Sequence, residues 1–237
     1  MQLGWHAVPT LPSWPCIILR HRGGDGVARL AGLGKMMGMS DEITREQRLL
    51  NEAIALAAEV HVWQVRKQPD GRPYICHVLD VVNALPNDLP LQDPNFKDVH
   101  LKRLVAALHD TIEDVVEKDE PAAEADQKRA ELRQKILAKF GPEVLAGVEA
   151  MTHLKPEGLS EEAELAHYID YVETSVLAND AAVAVKIIDN YVNMKDRVTQ
   201  FVAGGKDAEK AREKLHQYAS SIALLTAPKK PKSTKKR

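Results

Sequence analysis

Two stretches of the chain concentrate ionisable side chains among apolar ones. The first is His109-Asp110 with Glu113-Asp114 one helical turn later, approached through Val105, Ala106, Ala107 and Leu108. On a continuous helix, residue 109 lies over 113 and 110 over 114, so the four share an arc of about 140°. A buried helix that turns abruptly acidic needs a counter-charge, and a divalent cation supplies one. Histidine beside aspartate suits a borderline transition metal such as Mn2+, Fe2+ or Zn2+ better than Mg2+ or Ca2+. Taken alone the pair is a weak signal, because a solvated helix terminus has the same composition.

The second stretch is Lys186, Asp189 and Asn193, spaced by three and four, with Asn190 beside them and Val183, Val185, Ile187, Ile188, Val192 and Met194 around them. A lysine and a carboxylate in so apolar a run must be paired, liganding or lining a cavity, unless the two form an ion pair on an exposed stripe. A third cluster runs from His61 through Gln64, Arg66 and Lys67 to Gly71, Pro73, Tyr74 and His77. Arg66 and Lys67 suit phosphate, arginine by a two-pronged hydrogen bond and lysine as a point charge, and they equally suit the C-terminal cap of a helix. His100, His153, His167 and His216 are expected on surfaces or in satisfied core positions.

The elements that must position these groups read as helices. Thr44 and Gln47 have the spacing of a capping box, and Leu50, Ala53, Ile54, Ala57, Ala58 and His61 share one face, which predicts a helix from 44 to about 67. Pro69, Asp70, Gly71 and Pro73 then force a turn, followed by a short helix from about 75 to 85 before Pro86. A third helix is expected over about 97–116 and a charged fourth over about 122–140, closed by Gly141 with Pro142 opening the next. Ser160 and Asp180 are expected to cap two more, and a last helix covers about 206–225 on the 211, 215, 218, 222, 225 spacing. No alternating strand pattern is present, so the fold class is all-α, a bundle of seven or eight helices.

Length and charge narrow the partners. The 237 residues are 44% hydrophobic and 28% charged, and no apolar run reaches the ~18 residues of a spanning helix. A chain of this size holds a core without disulfides, and Cys16 and Cys76 are too few for a framework, so the cytosol is the expected compartment. Residues 1–40, rich in Pro and Gly, are expected to be a floppy extension with a start misassigned upstream of Met39. Residues 229–237 carry six cations and read as a disordered basic tail. The domain between, 41–228, holds 22 basic and 33 acidic residues, a net of −11. Such a body repels polyanions, so neither nucleic acid nor membrane is an expected partner, and a phosphate ligand needs a metal or well-placed cations.

Together these segments resemble the HD-domain metal-dependent phosphohydrolases, specifically the hydrolase half of the RelA/SpoT alarmone enzymes and their single-domain relatives. The likeness is carried by residues 61–67 with 71–77, by 106–114 and by 185–193, and more weakly by 140–144 with Met151-Thr152. It covers about 45–225. The resemblance implies an HD-domain helical bundle with His77, His109, Asp110 and Asp189 as ligands of one Mn2+, and His61 outside the ligand set. It further implies that Glu113 and Asp114 hold and deprotonate the attacking water, while Arg66, Lys67, Lys186 and Asn193 surround the nucleotide. The implied reaction removes pyrophosphate from the 3′ position of ppGpp or pppGpp, leaving GDP or GTP. A metal held by two imidazoles and two carboxylates agrees with that chemistry, since it polarises a phosphoryl oxygen and lowers the pKa of a water.

Two positions depart from the family pattern, Val78 for the usual proline and Asn190 for the frequent arginine. The segment between Asp114 and Phe140 is longer than the family leads one to expect and reads as a lid or a surface excursion. Residues 195–237 offer only a helix and the tail, so synthesis is not expected. The alternatives are the same metal site acting on NADPH, a nucleoside monophosphate or another phosphorylated nucleotide, and a degenerate module that binds without turnover.

Overall fold

A computed structural model of the chain describes residues 39–66, 71–86, 96–116, 120–156, 158–205 and 207–228, with backbone alone at 39–44 and 96. All belong to one compact unit spanning 36–237. The expected extension, except its last two residues, and the expected basic tail lie outside the described residues, as does Lys67.

The helices are α1 (Met39–Val60), α2 (Ile75–Ala84), α3 (Phe96–Leu108), α4 (Thr111–Asp114), α5 (Ala122–Phe140), α6 (Pro142–Met151), α7 (Glu161–Thr174), α8 (Asp180–Ala203) and α9 (Ala208–Thr226), with one 3-10 turn at Val176–Ala178. Eight have ten or more residues, and no strand forms among the described residues, so the all-α expectation holds. No described helix is long and apolar enough to cross a membrane.

Helix α3 is the centre of the bundle, packed by α1, α2, α6 and α8. Leu104 to His109 are all buried, which is why this helix reads as a continuous apolar run rather than as an amphipathic one. Each fully buried Leu or Val there contributes roughly 1.5–3 kcal/mol. Leu50, Ala53 and Leu56 of α1, Val81 and Val82 of α2, and Val144 and Val148 of α6 close around it. Gly147 of α6 meets α3 so closely that a Cβ there would lie 2.5 Å from a Val105 methyl.

Several boundaries differ from those expected. Helix α1 begins five residues before Thr44, so no capping box starts it, and Gln47 instead donates to Asn51 one turn on. It stops at Val60, leaving residues 61–66 in a turn and an extended arm. That arm is one side of a loop closed by the Val65–Pro73 bridge, with Arg66 N–H donating to the Arg72 carbonyl at 2.8 Å and Tyr74 N–H to that of Gln64 at 2.9 Å. Gly71 holds φ +54° at the turn, a conformation glycine adopts without steric cost. Asn179 rather than Asp180 caps α8, its side chain accepting from Ala182 N–H, whereas Ser160 caps α7 as expected. In helix α5, Ala125, Leu132 and Ile136 are buried and the helix packs on α6.

The predicted 97–116 helix is two helices. α3 ends at Leu108, and α4 starts at Thr111. The break is fixed by the Thr111 hydroxyl donating to the Leu108 carbonyl at 2.7 Å and by His109 Nδ1 bonding the Ala106 carbonyl at 2.8 Å.

Candidate metal centre

His109 and Asp110 lie at the break between α3 and α4. Consecutive helical residues point about 100° apart, yet His109 Nε2 and Asp110 Oδ2 approach to 2.9 Å. Helix α2 brings His77 and α8 brings Asp189 to the same point. His77 Nε2 lies 3.1 Å from Asp189 Oδ1 and 4.0 Å from Asp110 Oδ2, and His109 Nε2 lies 3.8 Å from Asp189 Oδ1. Ligands about 2.1 Å from one ion sit roughly 3–4 Å from one another. Three of the four, His77, His109 and Asp110, have ligand atoms all within 4.8 Å of each other and form a group that could hold a metal ion. The structure thus brings together the four residues that the family resemblance implies.

The imidazoles fit a cation on a further ground. His77 Nε2 and His109 Nε2 are buried and make no hydrogen bond, a costly state for a polar atom unless a ligand occupies it. With His109 Nδ1 bonded to the Ala106 carbonyl, Nε2 is the ring nitrogen that faces the centre.

The carboxylates are held from behind. Tyr74 OH donates to Asp110 Oδ2 at 2.6 Å, Asn193 Nδ2 donates to Asp189 Oδ1 at 2.6 Å, and Lys186 Nζ reaches Asp189 Oδ2 at 3.2 Å. Burial would raise both acids, but His109 on Asp110 and Lys186 on Asp189 hold them well below the usual carboxylate range. Burial would likewise lower Lys186, yet the surrounding Tyr171, Asp189 and Tyr168 raise it well above its ordinary value. Its ammonium sits 5.7 Å from the Tyr168 and Tyr171 ring centres, so the lysine is a buried charged group and not part of an exposed stripe.

Glu113 and Asp114 stand beside the centre. Glu113 accepts from His153 N–H at 3.2 Å, and Asp114 lies 3.7 Å from His61 Nδ1. Burial, reinforced by Asp110 and Asp114, pushes Glu113 up to about 7, and burial with Asp110 pushes Asp114 to about 7. Carboxyls that titrate near neutrality are suited to moving a proton at working pH. His61 is buried outside the converging set, bonded to Gln64 at 2.8 Å and stacked on Tyr74.

A cavity of about 440 Å³ opens beside these groups. Arg66, Tyr74, Asp110, Glu113, Lys186, Asp189 and Asn193 line it, and so do Lys155, Arg197 and Lys214. Of the cations expected around a nucleotide, Arg66 and Lys186 therefore reach the cavity. Arg66 is already paired, donating to Asn193 at 3.0 Å and to Asp196.

Sequence reasoning missed Tyr74 as the partner of Asp110, His153 as the backbone donor to Glu113, and Asp196 altogether. Asp196 extends the 186, 189, 193 spacing by one more step, so its signal was present. His153 and His167, expected to be unremarkable, face each other at 2.9 Å, with His153 in the cavity wall. The departure at Asn190 has a structural reason: it is buried, accepting from Tyr168 OH at 3.2 Å and donating to Ser221 at 2.8 Å, and so ties α7 and α9 to α8.

The centre of this helical bundle thus joins a His-Asp pair to a second histidine and a distant aspartate. No family model matches the chain. Over 151 residues it is 31% identical to the human protein named guanosine-3′,5′-bis(diphosphate) 3′-pyrophosphohydrolase MESH1, covering 64% of this chain and 70% of that one. It is 30% identical over 169 residues to the GTP pyrophosphokinase rsh of Brucella melitensis and of Brucella abortus, covering 68% of this chain but only 19% of those proteins. A solved metazoan ortholog of SpoT, described as hydrolysing ppGpp, aligns at 22% identity and a TM-score of 0.48 over 75% of this chain and 89% of that one. The chain belongs to the HD-domain hydrolase family of RelA/SpoT type.

Proposed function

We propose that the protein hydrolyses guanosine 3′,5′-bis(diphosphate), as ppGpp or pppGpp, at the 3′-pyrophosphate, giving GDP or GTP and pyrophosphate, with one Mn2+ held by His77, His109, Asp110 and Asp189. The observation that carries the reading is the pair of buried, unbonded imidazole nitrogens converging with two carboxylates, beside the carboxyls of Glu113 and Asp114, which burial pushes up. The activity named for MESH1 supplies the substrate class, and a cytosolic location fits a nucleotide of that kind.

Bound at this point, a divalent cation would offset the charge of the phosphoryl oxygens and lower the pKa of a water. The protein's own residues do the rest. Glu113 takes the proton of the attacking water, with Asp114 beside it. A bond forms from that oxygen to the phosphorus nearest the sugar, the bond from that phosphorus to O3′ breaks, and O3′ takes a proton from solvent to leave as a hydroxyl while Glu113 returns its own proton to solvent. Lys186 keeps Asp189 ionised, Tyr74 orients Asp110, and Arg66, Lys67 and Asn193 take the nucleotide side.

The test is a substrate panel of ppGpp, pppGpp, NADPH and nucleoside monophosphates with added Mn2+, reading pyrophosphate and monophosphate separately. Pyrophosphate from the guanosine substrates is the expected result. Monophosphate release alone assigns the site to another phosphorylated nucleotide, and tight ppGpp binding with no product makes the protein a non-catalytic binder.

A further inference from the structure

Asp196 lies in the cavity wall and pairs with Arg66 at the base of the 64–74 loop. Its other oxygen faces Arg72 across 3.9 Å, so a single carboxylate on α8 engages both arms of that loop. Arg66 touches the supports of both carboxylates at the metal centre. It donates to Asn193, which itself donates to Asp189. Its guanidinium stands 5.7 Å from the ring centre of Tyr74, whose hydroxyl holds Asp110.

We propose that Asp196 is a positioning residue that keeps Arg66 away from Asp189 and so leaves Asp189 available to a divalent cation. The Arg66 side chain is only 11% exposed, and a guanidinium so nearly buried must have an anionic partner. Asn193 offers it only a neutral carbonyl oxygen. With the Asp196 charge removed, Asp189 is the carboxylate joined to Arg66 through a shared neighbour, and its charge already acts on the guanidinium. An arginine paired with Asp189 competes with the cation for the same oxygen. The sequence accommodates this device on one helix face, since 189, 193 and 196 recur at four and three residues.

The inference rests on the metal centre of the proposed function and not on its substrate. Its test is a double-mutant cycle on the full chain. Mn2+ dissociation constants are measured by equilibrium dialysis for the unaltered protein, Asp196→Asn, Arg66→Met and the double variant. Asp196→Asn is expected to weaken Mn2+ binding about tenfold, as loss of an outer partner does, whereas in the Arg66→Met background the same change has no effect. Asp196→Glu, which keeps the charge, restores tight binding. An equal loss in both backgrounds, or undiminished binding by Asp196→Asn, overturns the proposal. Failure of the unaltered chain to bind Mn2+ overturns it together with the metal reading, and Mn2+ binding without ppGpp hydrolysis removes the substrate reading alone.

Discussion

Tyr74 and Asp110, 36 positions apart, meet through a 2.6 Å hydrogen bond that joins the start of α2 to the break between α3 and α4. Burial, with Asp110 and Asp114 close by, raises the tyrosine hydroxyl well above its usual pKa, so it is always a donor. Tyr74→Phe removes that donor while keeping the ring against His61 and His77. Mn2+ affinity is expected to fall about tenfold with the fold retained, checked by equilibrium dialysis and circular dichroism. An unchanged affinity would show that Asp110 needs no such support.

Metal binding should be visible as stability. A ligand at 100 times its dissociation constant adds about 2.7 kcal/mol, which for a chain of this size raises Tm by roughly 5–11 °C. Chelator should reverse the shift. Asp110→Asn, which removes the charge of a proposed ligand without changing shape, should show no response to Mn2+ in the same thermal scan.

Glu113→Gln keeps the hydrogen bond that His153 N–H makes to the side chain but cannot take a proton. Turnover is expected to fall by about 10²–10⁴, while metal content by elemental analysis stays at the unaltered level. Loss of metal together with activity would make Glu113 a ligand rather than a base.

Packing of α6 on α3 leaves no room for a methyl at position 147. Gly147→Ala is expected to cost about 1–3 kcal/mol by overpacking, measured by urea unfolding. Adding Val105→Ala removes the blocking methyls, so the double variant should be less destabilised than the sum of the two single changes.

Acid should weaken the fold partly through His153. Burial, with His167 and Lys186 nearby, lowers it from 6.5 to about 4. Between those values the unfolded chain binds a proton that the folded one does not, so the contribution is intact above pH 6.5 and is lost as pH falls toward 4. The side chain is only partly buried, which makes the effect modest. His153→Gln should flatten the decline of the urea midpoint between pH 7 and 4.5; an unchanged slope would assign acid sensitivity to other groups.

Periodicity made the helices legible because each has an apolar face or run matching its place in the bundle: α5 and α9 end within two residues of expectation. Where local bonding competes with the helix, periodicity is silent. Residues 109 and 110 continue the helical pattern, yet Thr111 and His109 divert the bonding to the carbonyls of Leu108 and Ala106 and break it. Residues 61–66 are likewise expected to continue the first helix, but the pairing of Val65 with Pro73 draws them into a loop.

By itself the sequence determined the all-α class, because periodicity along the chain carries it, while the four converging residues were legible only through the likeness of its motifs to a family. Tertiary structure alone decided how they converge: a broken helix turns His109 and Asp110 to one point, and Tyr74, Lys186 and Asn193 fix the two carboxylates. It also decided that Arg66 is held by Asp196 and that Glu113 rests on the backbone of His153. Those partners lie 130 and 40 positions away, and hydrogen bonds at such separations depend on where the backbone travels, which no local pattern records.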